Sequence, residues 1–280
     1  MEFALSEEQE ILMDSVKKML DENISIDNLR EHSKGDNSLR KCLRKLIVDM
    51  GLPGLMIPEE YGGSGLGVLE ASLVAEQLGS YAVPSPWIGN SIMAPTAILF
   101  DKENNLAEKW LPLIASGEIT ACVSLSEVVG KRSDLGLVLD GTNVSGVSIF
   151  GIDGELNPAI IITAVDDNLI LVETDNNGVE INEIPTIDTT RPVVEVIFYS
   201  SKYQIISNGK DAIQKTIDVG RIGLAADLLG ASQNMINKAV EYSLDRKQFE
   251  RVIGSFQAVK HMCAEMAADL EPCRSLMWYA

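Results

Sequence analysis

The sequence predicts an α+β protein with an N-terminal α-helical domain, a middle antiparallel β domain and a C-terminal helical bundle. Two observations support this prediction. Apolar residues recur with a helical period towards both ends of the chain, and short β-rich runs separated by Asp, Asn, Gly and Pro fill the middle. Helices and strands that are segregated along a chain form separate layers, not alternating βαβ units. The predicted domains are residues 1–118, 119–205 and 206–280.

Helices account for the first domain. Ser6 and Gln9 form a capping-box pattern at the start of the first helix, and apolar residues follow it at helical spacing. The predicted helices cover about 7–20, 39–50, 69–78 and 106–116. Between the second and third, the Gly- and Pro-rich stretch 51–67 predicts a shaped loop. His32 lies in a polar stretch that resembles a linker and needs no function.

The pattern changes near Ile119, where strands replace helices. The predicted strands cover about 121–125, 159–163, 169–172 and 193–198. From Asn208 the apolar period returns to 3.6 residues, which predicts an unusually long helix to about Leu244. Another helix is predicted from near Gly254 onwards, with a kink or an early end at Pro272.

Composition excludes several classes of function. Lys and Arg number 23 against 41 Asp and Glu, a net charge of −18, which opposes a nucleic-acid-binding surface. No apolar run approaches the roughly 20 residues of a membrane span, and the acidic, amphipathic first 20 residues do not resemble a signal peptide, so we expect a cytoplasmic protein. The four cysteines are scattered, and His261 with Glu265 is a weak pair, so no metal site is expected.

Two groups of motifs resemble the acyl-CoA dehydrogenase family of flavoproteins. The first runs from Ile57-Pro-Glu-Glu-Tyr-Gly-Gly63 to Glu76-Gln-Leu-Gly79, and the second comprises Tyr242-Ser-Leu-Asp-Arg-Lys-Gln-Phe249 and Ile253-Gly-Ser-Phe-Gln-Ala258. Their order, with an all-β domain between them, matches the family over essentially the whole chain. Family members are usually about a hundred residues longer, so the resemblance implies that the C-terminal helical bundle is incomplete.

The resemblance implies FAD as cofactor and an oligomer as the working assembly. In the family, the arginine matching Arg246 reaches the flavin bound mainly by the neighbouring subunit, and positions matching Gln248, Phe249 and Gln257 line the same site. A guanidinium offers planar, bidentate donors suited to a pyrophosphate, which gives Arg246 this role on chemical grounds as well. On spacing alone, the alternative is that residues 245–247 form a solvated turn between two helices. The surrounding match favours the flavin site.

The middle domain matches the family less well. Ser126 and Ser133 occupy positions whose hydroxyls and backbone touch the flavin and the thioester in the family, and both are therefore candidate cofactor contacts. Val128 replaces the family's proline in this loop, and the loop is one residue longer than usual. The tryptophan that shields the flavin in other members is also missing, since no Trp occurs between Trp110 and Trp278.

Catalysis requires a base that removes the α-proton of the thioester. In most members this is a glutamate in the C-terminal part that this chain lacks, and in others it stands where this chain has Gly220. Asp218 and Asp227 lie on the same predicted helix but are weak substitutes, so the catalytic residue stays unknown. Arg221 corresponds to an arginine near the family's active site, which makes it a candidate for substrate binding. An ion pair with Asp218 is an equal alternative for Arg221.

Two functions follow from the resemblance. In the first, the protein catalyses FAD-dependent α,β-dehydrogenation of an acyl-CoA thioester. In the second, it is a non-catalytic partner that completes the flavin or substrate site of a catalytic paralogue in a heteromeric complex. The altered middle-domain loop favours the second, whereas a chain that stops in the middle of a probable helix indicates a shortened sequence. The sequence leaves open which of these functions applies, and whether the oligomer is homomeric or heteromeric.

Overall fold

The computed structural model describes residues 4–125, 136–154, 157–175 and 178–280. The α-helices of this part of the chain are α1 (Glu7–Asn23), α2 (Ile26–Ser33), α3 (Ser38–Asp49), α4 (Val68–Ser80), α5 (Ala94–Ile98), α6 (Leu106–Ala115), α7 (Gly209–Asp245) and α8 (Gln257–Tyr279). Its strands are β1 (Ala121–Ser124), β2 (Leu137–Asp140), β3 (Asn143–Gly151), β4 (Ile160–Val165), β5 (Asn168–Glu173), β6 (Val179–Ile184), β7 (Val193–Lys202), β8 (Gln204–Ile206), β9 (Lys247–Gln248) and β10 (Arg251–Val252). This order confirms the predicted fold class. The exact domain boundaries stay a prediction.

The middle strands form two four-stranded sheets. One sheet has the order β1-β4-β5-β8 and the other β2-β3-β7-β6. Their shared core contains Cys122 and Ile161 from the first sheet and Val144, Val196 and Phe198 from the second. Burial raises the pKa of the Cys122 thiol to about 12, which keeps it a protonated, apolar filler.

One pairing departs from the predicted antiparallel domain. β1 pairs with β4 in parallel, with Ala121 opposite Ile160 and Ser124 opposite Thr163. Parallel neighbours need a crossover connection. Here β2 and β3, which belong to the other sheet, lie between β1 and β4 in the chain. The β-rich runs in the sequence predict where strands lie but not whether neighbouring strands run parallel or antiparallel. The parallel pairing of β1 with β4 could therefore not be predicted.

The chain divides into two compact units, each built from separate segments. Unit 1 comprises Met1–Ile24, Ser72–Val83 and Ile222–Ala280, and unit 2 comprises Ser25–Ala71 and Pro84–Arg221. No helix in the described part of the chain is long and apolar enough to cross a membrane.

In unit 2, the sequence analysis missed the short helix α5 and two further helical segments. His32, assigned above to a linker, lies in α2 and is only 5% exposed. The Pro-flanked segment Trp87–Met93 forms a π-helix that is buried throughout. Both are short and lack a clear apolar period, because one is polar and the other is buried on all sides.

A buried carboxylate anchors the π-helix. Asp153 is 2% exposed and accepts hydrogen bonds from the backbone N–H groups of Ile88 (2.8 Å) and Gly89 (3.2 Å). The guanidinium of Arg191 lies 3.9 Å from its other oxygen. Burial raises the pKa of Asp153 above its ordinary value, although Arg191 and the two N–H donors act in the opposite direction. The backbone of Gly89 also lies against that of Ile152, since a Cβ on Gly89 would lie 2.6 Å from the carbonyl oxygen of Ile152.

In unit 1, α4 and α7 approach each other at two glycines. A Cβ on Gly79 would lie 2.0 Å from the carbonyl oxygen of Asp227, and one on Gly230 would lie 1.8 Å from that of Glu76. Only glycine permits this backbone contact. The last helix, α8, continues through Pro272 to Tyr279, so the early end considered from the sequence does not occur.

Candidate functional site

The end of α7 leads into a tight hairpin that carries most of the predicted cofactor residues. β9 and β10 pair antiparallel, with Gln248 opposite Arg251, which leaves Phe249 and Glu250 as a two-residue turn. Both turn residues have positive φ, 53° and 62°, the requirement of a type I′ turn. Glycine and asparagine normally take these positions. A phenylalanine and a glutamate held there are strained by about 1–3 kcal/mol each, a kind of strain that concentrates at functional sites.

Arg246 is fixed by its backbone and exposed at its side chain. Its N–H donates to the carbonyl of Tyr242 (2.9 Å), and its own carbonyl accepts from the N–H of Ile253 (2.8 Å). In the described part of the chain, the guanidinium has no hydrogen-bonding or ion-pairing partner. The positive charge also suits the C-terminal end of a helix dipole. Residues 245–247 therefore do not form the turn, which lies at 249–250, but lead from α7 into β9 and present a guanidinium whose donors are available.

An aromatic group stands next to these donors. Phe249 is 86% exposed, and its ring meets that of Phe256 edge to face at 6.2 Å. The guanidinium of Arg251 stacks over the Phe256 ring, 4.0 Å from its centroid. Exposed aromatic area of this size on a hairpin tip offers a surface for a flat ring system.

The two predicted glutamines flank the same hairpin. Gln248 lies on β9 and donates to the carbonyl of Lys247 (2.8 Å), and Gln257 begins α8, with its amide 3.5 Å from the ring of His261. Both side chains are exposed. Gly254 allows the chain to turn between them, because a Cβ there would lie 2.9 Å from the hydroxyl of Ser243. Arg246, Gln248, Phe249 and Gln257 thus belong to one continuous, exposed stretch of unit 1.

Two predicted cofactor residues, Ser126 and Ser133, lie outside the described residues. The strand that leads towards them ends at Ser124, which is fully buried. Its hydroxyl lies 2.8 Å from that of Ser148, which in turn lies 3.4 Å from that of Thr163. This chain of hydroxyls links the two sheets in their interior and has no access to a ligand.

The positions predicted for catalysis lie on α7 in unit 2. Gly220 is buried, and a Cβ there would lie 2.8 Å from the sulfur of Met93. Arg221 is exposed and lies 3.4 Å from a carboxylate oxygen of Asp218, the ion-pair partner that the sequence offered as an alternative. Asp218 also accepts from Gln214 (2.9 Å), so its carboxylate is solvated and hydrogen-bonded rather than held in apolar surroundings.

Comparison with known proteins matches both ends of the chain to one family. Residues 6–118 match the domain described as "Acyl-CoA dehydrogenase, N-terminal domain", and residues 207–280 match "Acyl-CoA dehydrogenase, C-terminal domain". The chain belongs to the acyl-CoA dehydrogenase family. The resemblance seen in the sequence motifs is therefore confirmed, and the family implies an FAD-dependent oxidoreductase.

Individual acyl-CoA dehydrogenases agree over most of the chain. Acyl-CoA dehydrogenase IpdE2 of Mycolicibacterium smegmatis is 28% identical over 98% of this chain and 76% of its own length. The short-chain specific acyl-CoA dehydrogenase of Clostridium acetobutylicum is 26% identical over 100% of this chain and 80% of its own. Among solved structures, the ChsE4-ChsE5 complex from Mycobacterium tuberculosis has the same fold, with a TM-score of 0.88 at 23% identity over 100% of this chain and 78% of that one.

The hairpin residues fit the cofactor that the acyl-CoA dehydrogenase family implies. A pyrophosphate needs planar, charged donors, and the guanidinium of Arg246 is exposed without a side-chain partner in the described residues. The exposed ring of Phe249 and the amides of Gln248 and Gln257 provide apolar and hydrogen-bonding contacts beside it. The sequence located this stretch through its motif. The strained turn that presents Phe249 became visible only in the backbone angles.

Proposed function

We propose that the chain is an FAD-binding subunit of an assembly that removes the α- and β-hydrogens of an acyl-CoA thioester. Arg246 supports this proposal most directly. Its guanidinium is charged, exposed and without a side-chain partner among the described residues, and its backbone is held on both sides by hydrogen bonds of 2.9 and 2.8 Å. Such a group is preorganised for a phosphate and contributes little to the fold.

In this proposal, Arg246 binds the pyrophosphate of FAD, and Gln248, Phe249 and Gln257 contact the rest of the dinucleotide. Ser126 and Ser133 are further candidate contacts, and Arg221 is the candidate for substrate binding. When bound, FAD supplies the hydride acceptor for the β-carbon. The residues of this chain orient the dinucleotide, and the closed assembly excludes water from the thioester, which strengthens the hydrogen bonds that stabilise the enolate oxygen.

The site is proposed to be completed by another subunit. α7 leaves Leu228, Met235 and Tyr242 exposed by 64%, 57% and 61%, and these residues recur every seven positions, so they form one apolar stripe. A stripe of this kind indicates a helical partner. The partner is another acyl-CoA dehydrogenase-like subunit, either a copy of this chain or a paralogue.

Replacement of Arg246 tests the cofactor site. Arg246→Ala should weaken FAD binding about ten- to a hundredfold, because a charge-assisted hydrogen bond contributes roughly 1.5–3 kcal/mol. The measurement is retention of flavin absorbance through dialysis, followed by titration of the apoprotein with FAD. Arg246→Lys keeps the charge but loses the planar pair of donors, so its affinity should fall between the two.

Arg30→Ala is a matched control, because Arg30 is also an exposed arginine and its guanidinium makes only a weak ion pair with Asp27, at 3.6 Å, among the described residues. Its FAD affinity should equal that of the parent chain. If Arg246→Ala also retains FAD at the parent affinity, Arg246 is not part of the cofactor site and the proposal loses its main support.

A second function, that of a non-catalytic partner subunit, is favoured by one observation. Gly220 stands where some family members place the catalytic carboxylate, and the buried site is filled by Met93, whose sulfur would lie 2.8 Å from a Cβ. A glutamate cannot be accommodated there without displacement of Met93. Asp218 is exposed and hydrogen-bonded, so it lacks the apolar environment that a base for this reaction needs.

An anaerobic bleaching assay separates the two functions. Straight-chain, branched and steroid-derived acyl-CoAs are added to the flavin-loaded chain alone and to complexes with co-expressed paralogues. We expect slow or no bleaching by the chain alone, because a positioned base typically contributes about 10²–10⁴-fold. Rapid bleaching by the chain alone would establish a self-sufficient dehydrogenase and redirect attention to Asp218 and Asp227. Bleaching that requires a paralogue but survives loss of every α7 carboxylate in this chain would establish the partner role.

A further inference from the structure

One short segment of this acidic protein is strongly basic. The chain has a net charge of −18, yet residues 30–45 contain six Lys or Arg residues and only two acids, Glu31 and Asp36. Both acids are already engaged. Glu31 pairs with Lys34 at 2.8 Å, and the carboxylate of Asp36 accepts from the backbone N–H and the hydroxyl of Ser38 at 2.9 and 2.7 Å. Six cations against two acids leave the segment with a net charge of 6 − 2 = +4.

The basic residues of α3 share one face with a polar residue at its start. Asn37, Arg40, Lys41 and Arg44 are spaced i, i+3, i+4 and i+7, which places them on one side of the helix. The opposite side is apolar and buried, with Leu39, Leu43 and Ile47 anchoring the helix in the core of unit 2. The direction in which the charges point is thus fixed by packing.

This face borders a cavity that is open to solvent, with Lys41 exposed and Arg40 and Arg44 half-buried. The cavity has a volume of about 390 Å³ and lies within unit 2, between α2 and α3 on one side and the β6–β7 connection on the other. The carbonyl oxygen of Thr189 in that connection accepts from Arg40 at 3.2 Å and lies 3.3 Å from a ring nitrogen of buried His32. One carboxylate among the described residues, that of Glu183, also lines the cavity.

We infer that this α3 groove, defined by His32, Asn37, Arg40, Lys41, Arg44 and Thr189, binds a small anion that carries two or more phosphoryl groups. Arg40 and Lys41 outnumber Glu183, the one carboxylate among the described lining residues, and guanidinium groups bind phosphate oxygens through paired N–H donors. The one hydrogen bond from Arg40 to Thr189 fixes its orientation and leaves most of its five donors for a ligand.

The concave shape favours a small molecule over an acidic protein surface. A volume of about 390 Å³ lies within the roughly 300–1,000 Å³ of small-molecule sites, and it accommodates a di- or triphosphate with part of its carrier. His32 contributes no donor to the ligand, because one ring nitrogen lies 2.9 Å from the carbonyl oxygen of Asp36 and the other faces Thr189.

Calorimetric titration of the full chain with inorganic pyrophosphate at low salt tests the inference. The parent chain should bind with about 1:1 stoichiometry and lose affinity as salt rises. The double substitution Arg40→Ala with Lys41→Ala should weaken binding about tenfold or more, since charge-assisted contacts are lost. Lys45→Ala is the matched control: it removes an exposed lysine from the same helix that does not line the cavity, so the affinity should stay within about twofold.

Three results would overturn the inference. One is the absence of pyrophosphate binding at millimolar concentration. Another is an equal loss of affinity in Lys45→Ala and in the double variant Arg40→Ala with Lys41→Ala, which would mean diffuse attraction to a basic surface. Binding of an acidic peptide such as polyglutamate without binding of pyrophosphate would also overturn it, in favour of a protein-docking surface.

Comparison of ligands identifies the source of the phosphates. ATP and coenzyme A that bind no more tightly than pyrophosphate would mean that the phosphoryl groups suffice, whereas tighter binding of either would assign the groove to that nucleotide. Repeating the titrations with Arg246→Ala separates the groove from the proposed FAD site, because the two lie on different elements. The pyrophosphate affinity of the groove should then be unchanged even if FAD binding is lost.

Discussion

Two regions of unit 1 each contain an arginine, and the two arginines differ in burial and in side-chain partners. Where α8 meets α4 and α7, Arg274 is 16% exposed and donates to Glu76 at 3.0 Å, to Gln233 at 3.1 Å and to Glu271. At the β9–β10 hairpin, the exposed Arg246 has no such partner within the described residues. The helix crossing is also closely packed, through Gly230, whereas the hairpin is exposed and strained.

The difference separates charge that holds the fold from charge that is available to a ligand. The guanidinium of Arg274 is held by three side-chain acceptors, and its loss leaves a buried carboxylate without compensation. An exposed guanidinium on a strained turn contributes little to stability and keeps its donors for a ligand. Substitutions in the two regions should therefore separate stability from cofactor affinity.

The largest expected effect is that of Arg274→Ala at the helix crossing. It leaves Glu76, which is 7% exposed and already has one oxygen without a hydrogen-bond partner among the described residues, as an uncompensated buried charge. We expect a loss of about 3–5 kcal/mol in the free energy of unfolding. The measurement is urea denaturation followed by circular dichroism.

The matched control is Arg246→Ala, which removes the same side chain from the hairpin and should cost less than about 0.5 kcal/mol. A second control combines Arg274→Met with Glu76→Leu, which removes both charges and should recover most of the loss. Equal destabilisation by Arg274→Ala and Arg246→Ala would contradict the proposed contrast between the two regions.

A pair of glycines on α7 gives the next largest effect. A Cβ on Gly230 would lie 1.8 Å from the backbone oxygen of Glu76. This clash can be relieved only if α4 and α7 move apart. Gly230→Ala should therefore destabilise by roughly 2–3 kcal/mol, as overpacking outweighs a gain of about 1 kcal/mol in helix propensity.

Gly220→Ala is the comparison variant, because its Cβ would meet only the flexible side chain of Met93, with the sulfur at 2.8 Å. Movement of Met93 and the gain in helix propensity should leave the free energy of unfolding within about 1 kcal/mol of the parent. A larger loss in Gly220→Ala than in Gly230→Ala would show that the close approach of α4 and α7 is not the stabilising contact.

At the hairpin, stability and cofactor binding should change in opposite directions. Replacing Phe249 with Asn and Glu250 with Gly supplies the residues that a type I′ turn prefers at the positive φ values of 53° and 62°. The double variant should gain about 1–2 kcal/mol in the free energy of unfolding and lose FAD affinity. The two single variants apportion the effects, since only Phe249→Asn removes the exposed ring. An increase in both quantities would remove Phe249 from the proposed site.

Local helix signals and the hairpin motif were predictable from the sequence, whereas the backbone conformation of the hairpin was not. The Ser6 capping box, the end of the second helix at Gly51 and the long helix from residue 209 follow from local pattern, and the structure confirms them. The family motif around Arg246 located the hairpin, because a functional loop keeps its residue types in order. Neither route gave the positive φ of Phe249, which depends on the register of β9 with β10.

Long-range contacts were the main gap. Nothing in the sequence pairs Arg274 with Glu76, which are 198 residues apart, or Asp153 with the N–H groups of the π-helix. The i, i+3, i+4, i+7 spacing of Asn37, Arg40, Lys41 and Arg44 is visible in the sequence. The cavity beside them is not, because its opposite wall consists of residues about 150 positions later. His32 was assigned to a linker because its burial depends on the same distant loop.

The smallest expected effect concerns a tyrosine on the packed side of the comparison. The Tyr81 hydroxyl, just after α4, donates to the carboxylate of Asp21 on α1. Burial, the hydrogen bond to Asp21 and the charge of Asp21, in that order of size, together raise the pKa of Tyr81 to about 12. Because the folded pKa lies above the unfolded value of 10.0, the interaction stabilises the fold below about pH 10 and is lost as the pH rises towards 12.

The effect on stability should stay below about 1 kcal/mol, because the pair is largely solvated, so the ionisation itself is the better observable. In a tyrosinate absorbance titration, Tyr81→Phe should remove a component that titrates near pH 12, whereas Tyr279→Phe, which removes a tyrosine that is 77% exposed, should leave that component in place. Asp21→Asn should lower the pKa of Tyr81 only part of the way to 10.0, since burial is the largest cause of the shift and survives the substitution. If Asp21→Asn leaves the late component unchanged, the link between α1 and the end of α4 does not form in solution. If it abolishes the shift entirely, burial contributes nothing, and the environment of Tyr81 resembles the solvated hairpin more than the helix crossing.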